Sequence, residues 1–354
     1  MHTRMEPRQS FRRWSHPHSQ RLRVVSFEAE KQSCQQRNIK EYIDQFMIKI
    51  QEITTKDILS KTNLPIGDYA VNPYVGCYHA CKYCYASFMK RFTNHPEPWG
   101  EFIDVKNWTS IRDRGQLAGK EAFFCSVTDP YQPHEARFKR TRAVLEQLQG
   151  TGIRISISTK SDLILRDLDL IKTFPGARVS WSINTLDEDF RSEMDRAVSI
   201  ERRLEAMRQF YEAGIDTTCF ISPIFPGITD VEAIIERAKD RCNLVWLENL
   251  NLRGDYRGRI LNWVHDHRPD LDELYRQIYT KKDRTYWSEL DGQLRSYCEA
   301  NGFRYVRNDD SLRAKHGELP VVVNYFYHET ITKSAQKQAT TASAWQTHDG
   351  QQPD

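Results

Sequence analysis

The sequence lacks any run of about 18 uncharged apolar residues, so it predicts no membrane-spanning helix. Its first 30 residues are rich in arginine but have no continuous apolar stretch, which a secretory signal peptide would need. Cysteine is also scarce, because eight residues in a chain of 354 are too few for a disulfide-rich scaffold. These absences predict a cytoplasmic protein whose thiols are reduced.

A strong excess of either charge is absent as well. The chain has 51 Lys and Arg against 48 Asp and Glu, a net charge of +3, which excludes a strongly basic body that binds nucleic acid through bulk charge. Mean hydropathy is −0.69, but 39% of the residues are hydrophobic and 11% are aromatic. A chain of this length and composition can bury one large core or two modest ones.

The two ends of the chain differ in composition from its middle. Residues 1–46 carry nine Lys and Arg against five Asp and Glu, a net of +4, which leaves −1 for residues 47–354. This stretch has little amphipathic periodicity, so we expect a disordered basic extension. An alternative is that natural translation starts at Met47, and both interpretations stay open. Residues 331–354 are polar and predict a disordered tail, which leaves 47–330 as the folded region.

Between these ends, short β-like runs alternate with helical segments. The predicted strands are Tyr69–Pro73, Ala122–Thr128, Ile153–Thr159, Arg178–Asn184, Thr217–Ser222 and Leu244–Leu250. The predicted helices are Ala86–Arg91, Arg137–Gln149, Leu163–Thr173, Ile200–Ala213 and Asp230–Asp240, followed by helices near 270–281 and 284–301 and a late strand, Pro320–Tyr325. This alternation is typical of a parallel sheet in an α/β fold. Six units are too few for a closed eightfold barrel, so we expect a partial (β/α)6 TIM-like barrel or a doubly wound sheet, with C-terminal helices and a strand added.

Two of the predicted strands have a polar face. In Ile153–Lys160 the isoleucines alternate with serines and the run ends in Lys160, and in Val179–Asn184 bulky residues alternate with Ser180 and Ser182. A period of two sends the two sets to opposite sides of a sheet. Because a polar face is costly to bury without a ligand or water, these strands are predicted to line a cavity.

Three of the eight cysteines fall within eight residues. Cys77, Cys81 and Cys84 follow a predicted strand in a polar loop. Thiolates this close together favour an iron–sulfur cluster or zinc. Three ligands leave one iron of a four-iron cluster without a protein ligand, whereas a zinc site would need His79 as a fourth ligand. Crowding of all the ligands into one loop favours the cluster.

The spacing Cys-x3-Cys-x2-Cys, with an aromatic residue before the last cysteine, resembles the radical S-adenosylmethionine (radical SAM) superfamily. Further segments resemble its spore photoproduct lyase-like branch, whose members are often called DNA repair photolyase-like. They are Asn72–Cys77, Val127–Pro133, Ser158–Ser161 and Pro223–Gly227. The chain is similar in particular to an uncharacterised set of paired radical SAM proteins encoded on mobile elements. The resemblance covers about residues 48–328.

The resemblance implies a set of cofactor contacts. Cys77, Cys81 and Cys84 would hold a [4Fe–4S] cluster, whose free iron binds S-adenosylmethionine (SAM), and reductive cleavage would release a 5′-deoxyadenosyl radical for hydrogen abstraction. Four further residues match cofactor-contacting positions, with Tyr83 at the adenine, Lys160 at the methionyl carboxylate, Ser182 at the ribose and Thr128 as a further hydroxyl. The branch does not specify a substrate.

The sequence departs from true spore photoproduct lyase at the hydrogen-atom donor. That enzyme has a cysteine immediately before the hydroxyl–aspartate pair, but Val127 stands there in this chain and carries no S–H group. Cys125 is expected on the same side of a regular strand, two residues earlier. Tyr83 and Tyr85 match tyrosines proposed to relay hydrogen, so both are catalytic candidates.

The remaining candidates have weaker patterns. Cys34, Cys219, Cys242 and Cys298 are scattered singly and predict no second cluster. Strand-end residues and an arginine-rich loop could equally serve a site or the solvated surface; they are His134, Glu135, Glu248, Asn249 and Arg253–Arg259.

The resemblance also implies partners. These are an external one-electron reductant of the flavodoxin or ferredoxin type and a paired radical SAM protein, and a DNA or nucleotide substrate is one of several open alternatives. A competing interpretation is a non-catalytic adaptor that binds iron–sulfur or zinc and works with a paired protein.

Overall fold

The computed structural model describes residues 48–62, 67–308 and 322–326, so the basic extension and the polar tail lie outside the described residues. Twelve strands occur in these ranges. They are β1 Lys49–Thr54, β2 Leu59–Lys61, β3 Tyr69–Val71, β4 Tyr74–Val75, β5 Phe102–Asn107, β6 Glu121–Phe124, β7 Arg154–Thr159, β8 Arg178–Ser182, β9 Asp216–Ile224, β10 Leu244–Asn249, β11 Arg304–Arg307 and β12 Val322–Phe326.

The helices alternate with the strands of the middle region. The α-helices are α1 Glu135–Phe138, α2 Arg140–Leu148, α3 Leu168–Ile171, α4 Glu188–Met194, α5 Ile200–Glu212, α6 Val231–Ala238, α7 Tyr256–His267, α8 Asp272–Tyr279 and α9 Thr285–Ala300. Short 3-10 helices span Tyr85–Phe92, Arg114–Gln116, Leu163–Asp167 and Pro269–Leu271. None of the helices in the described ranges combines the length and apolarity that crossing a lipid bilayer requires.

The main sheet has nine strands in the order β11-β12-β10-β9-β8-β7-β6-β3-β2. The six predicted strands correspond to β3, β6, β7, β8, β9 and β10, and they are parallel neighbours in chain order. This is the strand arrangement of the predicted partial (β/α)6 barrel. Within the described residues the sheet does not close, since β2 pairs antiparallel with β3 at one edge and β11 lies at the other. The late strand β12 extends the same sheet by pairing parallel to β10.

A second, three-stranded sheet was not predicted from the sequence. Strand β5 lies between β1, to which it is parallel, and β4, to which it is antiparallel. Its four leading residues, Phe102–Val105, are buried on both faces, so they lack the alternation that marks a half-buried strand. This small sheet matters for the site because β4 leads directly into the cysteine loop.

Two predicted helices are interrupted. The expected helix Arg137–Gln149 is divided into α1 and α2 because Lys139 between them adopts φ +51°, a left-handed conformation that ends a helix. The expected helix Leu163–Thr173 begins as a 3-10 helix over Leu163–Asp167 and becomes α-helical only in α3. Helices α5 and α6 begin as predicted, because Ser199 and Asp230 cap their first turns through side-chain acceptors.

The predicted alternation in β7 and β8 is present. Ile155, Ile157, Val179 and Trp181 are fully buried in the main core, and the Trp181 ring meets Phe210 of α5 edge-on at 5.2 Å. The serines of the opposite face are half-buried in both strands. The apolar face therefore packs against the helices, while the polar face remains partly accessible.

Candidate metal and cofactor site

The cysteine loop begins after β4 with a conformation that only glycine accepts. Gly76 has φ +89°, and a Cβ built on it would lie 2.1 Å from the carbonyl oxygen of Phe102. Further along the loop, Ala80 has φ +47°, and a Cβ on Gly100 would lie 2.5 Å from the Ala80 Cβ. The start of β5 and the residues just before it therefore pack directly against the loop, at Gly76 and at Ala80.

Hydrogen bonds from two other segments hold the loop backbone. The end of α4 and the residues after it contact the loop, since Lys82 N donates to Met194 O at 2.9 Å and Arg196 N donates to His79 O at 2.8 Å. From the other side, Gln132 Oε1 accepts a hydrogen bond from Tyr78 N at 2.8 Å. Because these bonds involve backbone atoms of the loop, they fix the positions of the Cα atoms that carry its side chains.

The three thiols of the loop form one electrostatic group. Burial raises the pKa of the Cys77 thiol, and negative charge on Asp129 and on the other two thiols raises it further. Burial also raises the pKa of Cys81, and the Lys160 ammonium acts in the opposite direction. Neutral thiols are thus favoured unless a cation joins them, and a metal centre supplies such a cation.

Asp129 connects the loop to the end of β7. Its carboxylate is buried, and it accepts hydrogen bonds from Thr159 Oγ1 at 2.8 Å and from Lys160 N at 2.7 Å. Burial raises its pKa, but the His79 charge and these hydrogen bonds outweigh burial and hold the pKa below its usual value. His79 Nε2 lies 3.1 Å from Asp129 Oδ2, although the angle is not that of a hydrogen bond.

The contact between His79 and Asp129 bears on the alternative in which the loop binds a zinc ion. The His79 ring is buried next to Asp129, and in the described part of the chain no three His, Cys, Asp or Glu side chains surround one point as a single metal ion requires. A Cys3His zinc ion needs four ligands within about 2.0–2.3 Å of the metal. A cluster instead binds each thiolate at a different iron, so the loop suits a cluster better.

Lys160 and Tyr83 lie together beside the thiols. The Lys160 ammonium is 5.5 Å from the centroid of the Tyr83 ring, within the range of a cation–π contact. Lys160 also lowers the pKa of Asp195, although burial, which raises that pKa, and the Arg203 charge are larger influences. The structure thus brings together a cysteine loop, an aromatic ring and a lysine that the sequence places 76 residues from Cys84.

The Tyr83 hydroxyl has a buried partner that the sequence did not indicate. It donates to Asp195 Oδ2 at 3.1 Å, and Asp195 Oδ1 accepts a hydrogen bond from Arg203 Nη2 at 3.0 Å. Both charged side chains are almost fully buried. Arg203 also donates to the carbonyl oxygen of Ser182 at 3.1 Å, so it joins the end of β8 to this group.

The family comparison agrees with this arrangement. The radical SAM superfamily profile matches residues 71–238, which include the loop, Lys160 and Ser182. An uncharacterised protein of Methanocaldococcus jannaschii is 39% identical over 208 residues, which is 58% of this chain and 79% of that protein. The chain belongs to the radical SAM superfamily. Membership implies a [4Fe–4S] cluster and SAM as its cofactors, and it makes the chain a radical SAM enzyme.

Two further similarities are more distant. A radical SAM Nα-GlyT isomerase of Pseudomonas phage M6 is 28% identical over 176 residues, which is 47% of this chain and 35% of the isomerase. A solved structure of a spore photoproduct lyase cysteine mutant superposes with a TM-score of 0.52 at 17% identity, covering 78% of this chain and 82% of the lyase. The lyase resemblance is therefore one of fold.

The two predicted hydroxyl contacts of this radical SAM protein differ in their surroundings. Thr128 Oγ1 donates to the carbonyl oxygen of Gly76 at 2.5 Å, so its proton is used to hold the cysteine loop. Ser182 is the last residue of β8 and lies on the half-buried polar face of the strand. Asn184, just beyond, is buried and has no hydrogen-bond partner for Nδ2 among the described residues.

The predicted strand Ala122–Thr128, which was expected to place Cys125 and Val127 on one side, ends earlier in the structure. Strand β6 ends at Phe124, and Cys125 adopts φ +72°, so the strand alternation that would place Cys125 and Val127 on one side does not continue. Cys125 is buried, and its pKa is raised first by burial and then by the charges of Asp129 and Cys77. Tyr85 is 59% exposed, and its hydroxyl donates to the carbonyl oxygen of Ser126.

Two of the weaker candidates, Glu135 and Glu248, lie in different surroundings. Glu135 is fully buried and accepts hydrogen bonds from Arg166 and from the Tyr74 hydroxyl, so it belongs to a structural ion network. Glu248 lies on the half-buried face of β10, where Ser222 Oγ and Trp246 Nε1 donate to its two oxygens at 3.0 and 3.1 Å.

Proposed function

We propose that Cys77, Cys81 and Cys84 bind three irons of a [4Fe–4S] cluster and leave the fourth iron for SAM. The supporting observation is the group of three thiols, of which Cys77 is buried and the other two are half-buried, in a loop fixed from two sides, with the Lys160 ammonium next to it. When bound, the cluster supplies one electron that cleaves SAM to methionine and a 5′-deoxyadenosyl radical, which abstracts hydrogen from the substrate. The protein positions SAM and keeps the radical away from solvent.

Four residues are proposed to hold SAM. Lys160 pairs with the methionyl carboxylate, since its ammonium acts on the thiols and lies over Tyr83, and the Tyr83 ring packs against the adenine. Ser182 binds the ribose from the polar face of β8. Thr128 contacts SAM as a hydrogen-bond acceptor, because its hydroxyl proton is donated to the carbonyl oxygen of Gly76.

Tyr83 and Tyr85 are proposed as the catalytic tyrosines that relay hydrogen. The hydroxyl of Tyr83 is held by Asp195, which fixes its orientation, while the Tyr85 side chain is exposed at the end of β6. A relay that starts from the exposed Tyr85 would make up for the missing S–H group at Val127. We therefore expect Tyr85→Phe to retain SAM cleavage and to lose product formation.

A nucleic acid is the substrate class that we propose. Tyr85, Phe88 and Phe92 form an exposed aromatic surface on the helix that follows Cys84, with exposed fractions of 59, 42 and 66%. The Arg91 guanidinium lies 4.6 Å from the Phe92 ring centroid. Exposed rings with adjacent cations are typical of surfaces that stack unpaired bases and contact phosphates.

The arginine-rich loop lies next to the aromatic surface. Ser87 Oγ donates to Asp255 Oδ1 at 3.0 Å, which brings the loop 253–259 to the helix of the aromatic surface. Segment 82–92 contains Lys82, Lys90 and Arg91 and no acidic residue. The local charge is thus positive although residues 47–354 have a net charge of −1.

Oligonucleotide binding tests the substrate class. Replacing both Phe88 and Phe92 by alanine should weaken the binding of a labelled single-stranded DNA, measured by fluorescence anisotropy, because each stacked base contributes about 1–3 kcal/mol. Leu186→Ala is the control, since Leu186 is also an exposed apolar residue. Affinity of the unaltered protein should fall between about 50 and about 200 mM salt. Binding that responds to neither change would contradict the proposal.

Metal analysis tests the cluster. Anaerobic reconstitution should give about four irons per chain and charge-transfer absorbance, as expected of a [4Fe–4S] centre. Cys81→Ala should lose this iron, whereas Cys242→Ala should retain it, because Cys242 is buried in the main core. Stoichiometric zinc in the unaltered protein would instead support the metal-binding adaptor.

We further propose a cytoplasmic enzyme that receives its electron from a flavodoxin- or ferredoxin-like protein and acts with a paired radical SAM protein. All seven cysteines in the described ranges are free thiols, which suits a reducing compartment. A pull-down from the native host under anaerobic conditions should recover the paired protein.

A further inference from the structure

A buried ion pair lies between two of the residues that are proposed to hold SAM. Asp195 directly follows α4, and Arg203 lies near the start of α5. Asp195 Oδ1 accepts hydrogen bonds from Arg203 Nη2 and from Ala197 N, both at 3.0 Å. Both charged side chains are buried, so water cannot replace either partner.

Placing these two charges in the interior costs free energy in two ways. Burial removes the hydration of both groups, and apolar residues of similar volume in place of a buried pair are often neutral or stabilising. The Arg203 guanidinium also lies at the N-terminal end of α5, where it donates to Val198 O at 2.9 Å and where the helix dipole disfavours a cation. The stability of the fold does not by itself account for the pair.

The pair contacts one proposed SAM-binding residue on each side. The Tyr83 hydroxyl donates to Asp195 Oδ2 at 3.1 Å, and Arg203 Nη1 donates to Ser182 O at 3.1 Å. Tyr83 belongs to the cysteine loop and Ser182 to the main sheet, so the pair connects two parts of the fold. Because the guanidinium and the carboxylate are planar groups with directional bonds, they hold these two parts at a set spacing.

We propose that Asp195 and Arg203 are positioning residues, which fix the spacing between the adenine contact of Tyr83 and the ribose contact of Ser182. The inference rests on the proposed binding of SAM by these two residues. Contacts that are already ordered bind a ligand without the cost of ordering them first. The pair therefore favours the adenosyl part of SAM, whereas Lys160 and the free iron hold the methionyl part.

Tyr83→Phe tests the carboxylate side, because it removes the hydroxyl and keeps the ring. Isothermal titration calorimetry of the reconstituted protein under anaerobic conditions measures the Kd values. The Kd of SAM should rise about 3- to 10-fold, the cost of ordering one side chain on binding. The Kd of free methionine, which has no adenosyl group, should not change. An equal rise for both ligands would indicate a general disturbance of the loop and would overturn the inference.

Tyr131→Phe is the matched control. The Tyr131 hydroxyl donates to Asp167 Oδ2 at 3.2 Å, and Asp167 is likewise buried and paired with an arginine, Arg166. Both variants should lose similar unfolding free energy, because each loses the same kind of hydrogen bond. Only Tyr83→Phe should bind SAM more weakly than the unaltered protein does.

Two further variants test the pair itself. Asp195→Asn should raise the Kd of SAM, and adding it to Tyr83→Phe should raise the Kd by less than the product of the two single effects, since both remove the same bond. Arg203→Lys keeps the positive charge but loses the planar fork that joins Asp195 to Ser182 O, so it should also weaken the binding of SAM and leave that of methionine unchanged. Independent effects of Asp195→Asn and Tyr83→Phe, or an unchanged Kd of SAM in Arg203→Lys, would contradict the positioning role.

The outcomes separate this inference from the proposed function. If the unaltered, iron-loaded protein binds no SAM, the proposed function fails. If it binds SAM and Tyr83→Phe binds SAM equally well, only the role of the pair fails. Should Asp195→Asn or Arg203→Lys not fold, Tyr83→Phe decides the question, because it leaves the ion pair intact.

Discussion

Individual side chains connect the cysteine loop to the strand ends around it. Asp129 accepts hydrogen bonds from Thr159 and from the Lys160 amide, and it lies 3.1 Å from His79 in the loop. The Lys160 side chain then extends over the Tyr83 ring. A buried carboxylate thus fixes the backbone from which the Lys160 side chain extends.

At the residue scale, Lys160→Ala should weaken SAM binding and leave iron content unchanged. A charge-assisted hydrogen bond contributes about 1.5–3 kcal/mol, so the Kd should rise roughly 10- to 150-fold. Equilibrium binding of SAM to the reconstituted protein measures the effect. Lys172→Ala is the control, because Lys172 is exposed and follows α3. Equal Kd values for the two variants would remove Lys160 from the site.

Sequence reasoning identified the residues with a strong motif and missed their buried partners. The cysteine spacing and the polar end of β7 pointed to the loop and to Lys160. Asp195 and Arg203 gave no signal, because an isolated Asp and an arginine within a helix normally lie on the surface. Asp195 contacts the cysteine loop through the hydroxyl of Tyr83, which lies 112 residues earlier in the chain.

At the scale of elements, the loop depends on how β4 and β5 pack. Gly76→Ala combines a left-handed φ with a Cβ only 2.1 Å from the Phe102 carbonyl oxygen, so β5 would have to move. Gly150→Ala is the matched control, since Gly150 has φ +77° but nothing within 4 Å of a Cβ. The unfolding free energy of the control should fall only by the cost of a Cβ in the left-handed conformation, about 1–2 kcal/mol.

Denaturant unfolding and iron analysis measure both glycine variants. Gly76→Ala should be destabilised by more than the control and should hold less iron after reconstitution. If Gly76→Ala matched Gly150→Ala in stability and retained its iron, the packing of β5 would not fix the loop.

The small sheet also contains a titrating contact. His95 Nε2 lies 2.6 Å from Asp104 Oδ1 of β5, and Nδ1 lies 3.0 Å from Glu97 Oε2. Burial lowers the pKa of His95, but the two carboxylates outweigh it and raise the pKa above its ordinary value of 6.5. A raised pKa means that the folded state binds the proton more tightly than the unfolded state.

This contact predicts a pH-dependent stability. The contribution of His95 is complete below pH 6.5 and is lost as the pH rises through the raised pKa. The difference in unfolding free energy between the unaltered protein and His95→Gln should therefore be larger at about pH 5.5 than at about pH 8.5. Chemical denaturation at both pH values measures it. A difference that stayed constant or grew with pH would show that the ion pairs do not stabilise the fold.

At the scale of the whole molecule, the alternation of strands and helices predicted the six parallel strands at the centre of the main sheet. The six parallel strands carry period-two or continuous apolar patterns, three of them closely preceded by Gly152, Gly176 and Gly214, and chain order equals spatial order among them. The three-stranded sheet escaped prediction because β4 has only two residues and β5 is buried on both faces. Its role in fixing the cysteine loop arises from packing between segments, which no local pattern encodes.

The account as a whole depends on SAM cleavage by this chain. Quantification of 5′-deoxyadenosine after anaerobic reduction of the reconstituted protein with SAM is the most direct measurement. We expect 5′-deoxyadenosine from the unaltered protein and none from a variant in which Cys77, Cys81 and Cys84 are all alanine. A fully iron-loaded, reduced protein that forms no 5′-deoxyadenosine would contradict the account and favour a non-catalytic adaptor.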